Sequence, residues 1–134
     1  MNNEEKKSLV AKYVAAFNRG DVEGICQCFT PDAVVYGVLG WGSLDKARPI
    51  WQQLVTCFQI NLHIESIVAE DDIVAVRYAE RGRSVASFRG LEPTGKPYEV
   101  VAMEWFEIRD GGIARRWGAR DSAAIFKQIG MPPL

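Results

Sequence analysis

The stretch whose reading decides the fold is "YEVVAMEWFEIRDGGIARRWGAR", residues 98–120. At its centre Asp110-Gly111 is a hairpin signal, because a two-residue reversal needs positive φ, which Asp and Gly tolerate. The flanking runs are rich in Val, Trp, Phe and Ile, so residues 98–109 and 113–119 read as antiparallel strands. Alternation assigns the faces of the first strand. Val100, Ala102, Glu104, Phe106 and Ile108 share one face; Val101, Met103, Trp105 and Glu107 share the other. Both faces are largely apolar and only one can meet the domain's own core. The other, with Met103 and Trp105, is expected to pack on a second copy in a homodimer.

Working outward, residues 63–70 and 73–84 read as two more strands joined by a turn at Asp71-Asp72. Residues 121–129 form a closing helix, with Gly130 at its end. Near the start, Asn3 is expected to cap a first helix bearing Leu9, Val10, Tyr13, Val14 and Phe17 at helical spacing, with Gly20 stopping it. Asp21 caps a short second helix carrying Val22, Ile25 and Phe29, which Pro31 ends. Residues 33–38 read as a short strand, and Gly40 and Gly42 place Trp41 in a loop. Residues 43–58 read as helical, with Pro49 forcing a break or a late start. Helices followed by an antiparallel meander make an α+β domain over residues 1–134. One sheet curled around the helices leaves a cavity at its open end.

The bulk properties narrow the function. The chain has 134 residues, 48% hydrophobic and 25% charged, which suits one soluble domain with its own core. Its net charge of −1 gives no basic field for a nucleic acid or an anionic membrane. The opening MNNEEKKSLV lacks the apolar core of a signal peptide, and no apolar run approaches the roughly 20 residues of a membrane span. Cys26, Cys28 and Cys57 are an odd count, which fits a reduced cytoplasm better than a disulfide framework.

Few residues are placed to carry chemistry. Glu104 is the single carboxylate on an apolar strand face, so it either pairs with Arg116 or Arg120 or faces a ligand. Asp121, between a strand and a helix, is a helix cap by position. As a base it would need a cavity whose desolvation raises its pKa, against a cap bond and a helix dipole that lower it. His63 is the one histidine and reads as a surface or strand-end residue. Cys26 and Cys28, two apart on a helix, do not share a face and lack a second thiol pair, so zinc is not expected. No P-loop and no dinucleotide fingerprint occur, and the glycine-rich 90–95 segment precedes a strand and reads as a plain loop. Tyr36, Trp41, Trp51 and Tyr78 supply rings either for the core or for an aromatic pocket.

Three stretches, "NRGDVEGICQCFTPDAVVYG" (18–37), "IVAEDDIVAVRYAERG" (67–82) and "GLEPTGKPYEVVAMEWFEIRDGGIARRWGARDSAAIFKQIGM" (90–131), resemble SnoaL-like polyketide cyclases of the nuclear-transport-factor-2-like superfamily. The P-T-G-K before a strand, the D-G-x-I hairpin and the W-x-x-x-D ending are the most specific parts. The resemblance implies a conical α+β barrel, a homodimer through the outer sheet face, and no metal or organic cofactor. It makes Asp121, four residues after Trp117, the acid/base that deprotonates a carbon beside carbonyls before an intramolecular aldol closure. Relatives often carry His where this chain has Arg116, and Thr-His after the glycine where Arg83-Ser84 follow Gly82. The expected function is therefore cofactor-independent proton abstraction on a small hydrophobic carbonyl compound. Asp121 and Glu104 are the catalytic candidates, and Phe17, Tyr36, Trp41, Tyr78, Arg116 and Trp117 line the pocket. The rivals are a non-catalytic binder of a small apolar ligand and an epoxide hydrolase or isomerase on the same scaffold.

Overall fold

In the computed structural model, which describes residues 1–37 and 40–133, the chain opens on helix α1, Asn3–Asn18. Its cap is Asn2, one residue earlier than expected. The Asn2 side chain accepts from Glu5 N (2.8 Å), and Asn2 N donates to the Glu5 side chain (3.0 Å). That reciprocal pair satisfies two groups where an Asn3 cap would satisfy one. Val10, Tyr13, Val14 and Phe17 form the buried stripe. Helix α2, Val22–Gln27, starts on the Asp21 cap, whose carboxylate accepts from Gly24 N (2.9 Å). Strand β1, Phe29–Gly37, follows at once. Pro31 therefore does not end a helix. It sits where the pairing of β1 slips, between Phe29 and Val34, and a missing N–H is tolerated there. Val38, the last residue of the strand expected over 33–38, lies outside the described residues.

Trp41 is in a strand and not a loop: β2, Gly40–Ser43, pairs antiparallel with β1. Helix α3, Leu44–Phe58, runs unbroken through Pro49. Proline removes one ladder bond, and the carbonyl it leaves without that partner belongs to Asp45, an exposed residue of the first turn. The rest is strand β3 (Asn61–Glu70), β4 (Ile73–Arg83), β5 (Pro97–Arg109), β6 (Gly112–Arg120) and helix α4 (Ser122–Ile129). Asp110 and Gly111 both take positive φ (53° and 77°), as the hairpin reading required.

The strands form one mixed sheet in the order β2-β1-β6-β5-β4-β3. β3 to β6 are an antiparallel meander, whereas β1 joins β6 in parallel. The sheet is curled but open, so the barrel expected from the resemblance is not closed. Its concave face receives α1 and α3, and one continuous core joins them, including Tyr13, Phe17, Trp51, Phe58, Tyr78 and Phe106. The three cysteines are free and buried, as small core residues. The 90–95 loop is a strap for α4: Thr94 N donates to the buried Ser84 Oγ (3.0 Å), and Thr94 Oγ1 donates to Ile129 O (2.6 Å).

Candidate active site

The concave face does not fill completely. A cavity of about 360 Å³ remains between the sheet and α1 and α3. Its walls are mainly apolar, with Phe17, Trp51, Leu54, Ile60 and Leu62 among them. Its polar groups come from alternate residues of three neighbouring strands: Tyr78 and Glu80 on β4, Glu104 on β5, and Arg116 and Arg120 on β6. Tyr13 on α1 adds a sixth and Lys46 on α3 a seventh.

These side chains form two similar centres. In the first, Glu104 Oε2 accepts from Arg116 Nη1 (2.5 Å) and from the Tyr13 hydroxyl (2.9 Å). The Arg116 guanidinium also lies over the Trp51 ring, 6.0 Å from its centroid. In the second, Glu80 Oε2 accepts from the Tyr98 hydroxyl (2.6 Å) and stands 3.1 Å from Arg120 Nη2. Each centre is thus one carboxylate, one arginine and one tyrosine. Each is also built around a glycine. Gly118 lies opposite Glu104 in the β5–β6 register, and a Cβ there would collide with the Arg116 guanidinium. Gly82 lies opposite Tyr98 in the β4–β5 register, and a Cβ there would come within 2.5 Å of the Tyr98 ring.

The electrostatics follow from burial. Desolvation, then the charge of Glu104, push the hydroxyls of Tyr13 and Tyr78 well above the ordinary tyrosine value; desolvation and Glu80 do the same for Tyr98. All three phenols therefore stay protonated; Tyr13 and Tyr98 donate to the two carboxylates, and Tyr78 keeps its proton to donate. Burial works against charge on Arg116, but Glu104 and Tyr13 outweigh it and hold the guanidinium cationic. Glu80, only 2% exposed, is pushed above the ordinary glutamate value by desolvation, against the opposing pull of Arg120 and Tyr98.

Among the described residues, the buried side-chain polar atoms without a well-formed hydrogen bond are the Tyr78 hydroxyl, Glu104 Oε1, Arg116 Nε and Arg120 Nε, although the Tyr78 hydroxyl lies close enough to Glu104 for the carboxylate to raise its pKa. All four belong to residues lining this cavity. Orphaned buried polar atoms each cost about 1–3 kcal/mol. Their concentration around one apolar space makes this the polar end of the cavity, where solvent or a bound molecule is in reach of all four residues.

The residues singled out from the sequence divide between this cavity and the rest of the surface. Phe17, Tyr78, Glu104 and Arg116 line it, and Trp41 stands at its rim, 64% exposed. Tyr36 and Trp117 do not line it. They stack on each other (5.0 Å between centroids, 12° between planes) beside Trp105, on the convex side of the sheet. The reason is parity: Val35 and Arg116 point inward, so their neighbours point outward. Asp121 is exposed and is not part of the cavity wall. Its carboxylate caps α4 by accepting from Ala124 N (2.9 Å). The residue of that turn which reaches the cavity is its neighbour Arg120. Sequence reasoning missed Tyr13, Glu80 and Tyr98. Glu80 carried the same signal as Glu104, a single carboxylate after Val74, Val76 and Tyr78 on an apolar strand face.

Residues 10–116 match the SnoaL-like domain family. The chain belongs to that family. Among curated relatives, the SnoaL-like chain is 23% identical over 133 residues to the aklanonic acid methyl ester cyclase AcmA of Streptomyces galilaeus, covering 96% of this chain and 92% of that one. Among solved structures it is similar to AclR, a hydroxylase candidate from the same organism: 28% identity, 98% and 100% of the two chains covered, TM-score 0.88. It is also similar to IdmH, a polyketide cyclase candidate from Streptomyces antibioticus, at 27% identity, 94% and 99% coverage and TM-score 0.81. The SnoaL-like fold of the nuclear-transport-factor-2-like superfamily is thereby shared along nearly the whole chain.

Proposed function

We propose that this SnoaL-like protein is a cofactor-independent enzyme that removes a proton from carbon beside a carbonyl of a hydrophobic polyketide-type substrate, leading to intramolecular aldol closure. The observation that carries this reading is the set of four unpaired buried atoms. Three are donors (Tyr78 hydroxyl, Arg116 Nε, Arg120 Nε) and one is an acceptor (Glu104 Oε1). Enolate formation needs this division: one group to take the proton, and fixed donors where negative charge grows on oxygen. Glu104 takes the proton on Oε1, while its other oxygen is held by Arg116 and Tyr13. Tyr78 and Arg116 hold the enolate oxygen. The apolar walls exclude water and hold the substrate's carbon frame. The reaction consists of proton transfers and one C–C bond, so neither metal nor organic cofactor is required.

The resemblance to cyclases assigns the base to Asp121, whereas the cavity favours Glu104. Aklanonic acid methyl ester, the substrate named for AcmA, is the first compound to test. Wild-type protein is expected to convert it to a product of unchanged mass, and Glu104→Gln to lose at least about 100-fold in turnover. A Glu104→Gln variant of wild-type rate would remove Glu104 from the mechanism. The likeness to AclR supports a second reading, hydroxylation in the same cavity, with dioxygen supplying the oxygen atom and an external two-electron reductant taking its second oxygen to water; a product heavier by one oxygen atom would favour it. Quenching of tryptophan fluorescence by the ester without any product would favour a binding protein instead.

A further inference from the structure

We propose that Glu80 is the proton donor of the ring closure, a second catalytic carboxylate paired in function with Glu104. This rests on the reaction proposed above. Aldol closure has two proton demands. The base must take a proton from carbon, and when the new C–C bond forms, the attacked carbonyl oxygen becomes an alkoxide that must receive one. Glu104 meets the first demand. The second needs a carboxyl in the same cavity, out of water, and held in place.

Glu80 has these properties. It lines the cavity and is 2% exposed. Tyr98 and Arg120 both address its Oε2, so Oε1 is the oxygen that neither of them engages. The charged groups facing it are Arg120 from β6 and Glu104 from β5, with the Tyr98 hydroxyl also from β5. Burial, helped by the negative charge of Glu104, keeps its proton affinity above that of an ordinary glutamate, although Arg120 and Tyr98 pull the other way. In the register, Val76 lies opposite Glu104, and Glu80 is four residues further along β4, with Tyr78 between them on the same face. A ligand lying along the sheet thus meets base, phenol and acid in sequence.

The protons balance. The substrate carbon gives its proton to Glu104 Oε1. The carbanion attacks the second carbonyl carbon, one C–C bond forms, and the C=O π pair moves to oxygen. The alkoxide takes the Glu80 proton, and the carboxylate left behind is stabilised by Arg120 and Tyr98. Exchange with solvent after release returns a proton to Glu80 and removes one from Glu104, so the net reaction is an isomerisation.

The test separates the two protons by running the ester reaction in D2O. Glu80→Gln is expected to keep deuterium exchange at the acidic carbon within about threefold of wild type, because Glu104 is intact. Ring closure is expected to fall by about 100-fold or more. Closure at the wild-type rate overturns the proposal. Should Glu80→Gln fail to fold, Tyr98→Phe decides. It removes a hydrogen bond to the charged form of Glu80, so the alkaline limb of the kcat profile is expected to move to higher pH. An unmoved limb overturns the proposal. The reading beneath it fails separately, when Glu104→Gln still exchanges deuterium at the wild-type rate. Wild type that neither exchanges nor closes the ester overturns both.

Discussion

Gly118 shows how a missing side chain sets up chemistry. It faces Glu104 across the β5–β6 pair, and the Arg116 guanidinium folds back into the space a Cβ would take. A methyl group there would also come within 3.6 Å of Glu104 Oε2. Gly118→Ala is therefore expected to push Arg116 off the carboxylate. Stability falls by about 1–3 kcal/mol, as for other overpacked sites, and the melting temperature in a thermal scan measures it. A variant as stable as wild type would show that Arg116 has a second place to go. Asp121 is the contrasting case. Its carboxylate caps α4 and is exposed, so Asp121→Asn, which caps about as well, is expected to leave both the melting temperature and turnover near wild type. Turnover lost with the melting temperature kept would return the base to Asp121 and take it from Glu104.

At the scale of elements, period and turn chemistry made most of the fold legible. The alternation over 98–109 gave the correct faces of β5, and Asp110-Gly111 gave the hairpin that pairs it with β6. Legibility failed where long-range pairing decides. Nothing local to residues 29–37 shows that β1 joins β6 in parallel, or that a glycine-flanked Trp41 belongs to an edge strand. Pro49 misled because its cost is confined to one hydrogen bond on a solvent-facing side, and the packing of Ala47, Trp51 and Phe58 holds the helix through it. The site was half legible. Glu104 and Arg116 were readable as an odd carboxylate and its neighbouring cation. Tyr13 was hidden because a tyrosine in a helical apolar stripe looks like core, and only the sheet brings Glu104 to its hydroxyl. Tyr36 and Trp117 were misplaced because an aromatic residue advertises a pocket while its strand parity points it away.

For the whole molecule, the convex sheet face is where large exposed hydrophobic side chains gather. Val101, Met103 and Trp105 are each about half exposed there, at 58%, 52% and 50%, and line up on one side of β5. Trp117 and Ala119 of β6 and Val68 of β3 border the same groove. Largely apolar surface of this kind, with Arg77 opposite Met103 as its charged interruption, is expected to be covered, here by the same face of a second copy in a symmetric dimer. Sedimentation at micromolar concentration is expected to show a dimer, and Trp105→Glu to give monomer or aggregate. A wild-type monomer under those conditions removes the dimer from the account. No helix among the described residues is long and apolar enough to cross a membrane.

The alternation along β5 and β6 also bears on how genes for such a protein can change length. Glu104 sits between Met103 and Trp105, and Arg116 beside Trp117, so every second codon serves the opposite side of one ribbon. Inserting or deleting one codon between the hairpin and Glu104 would turn that carboxylate outward and drive a tryptophan into the cavity. A two-codon change keeps each residue on its own side and merely slides the pair. Length variants of this segment that survive selection are therefore expected to differ by even numbers of residues, unless a bulge absorbs the odd one, as the register shift between Glu107 and Ile108 already does in this hairpin.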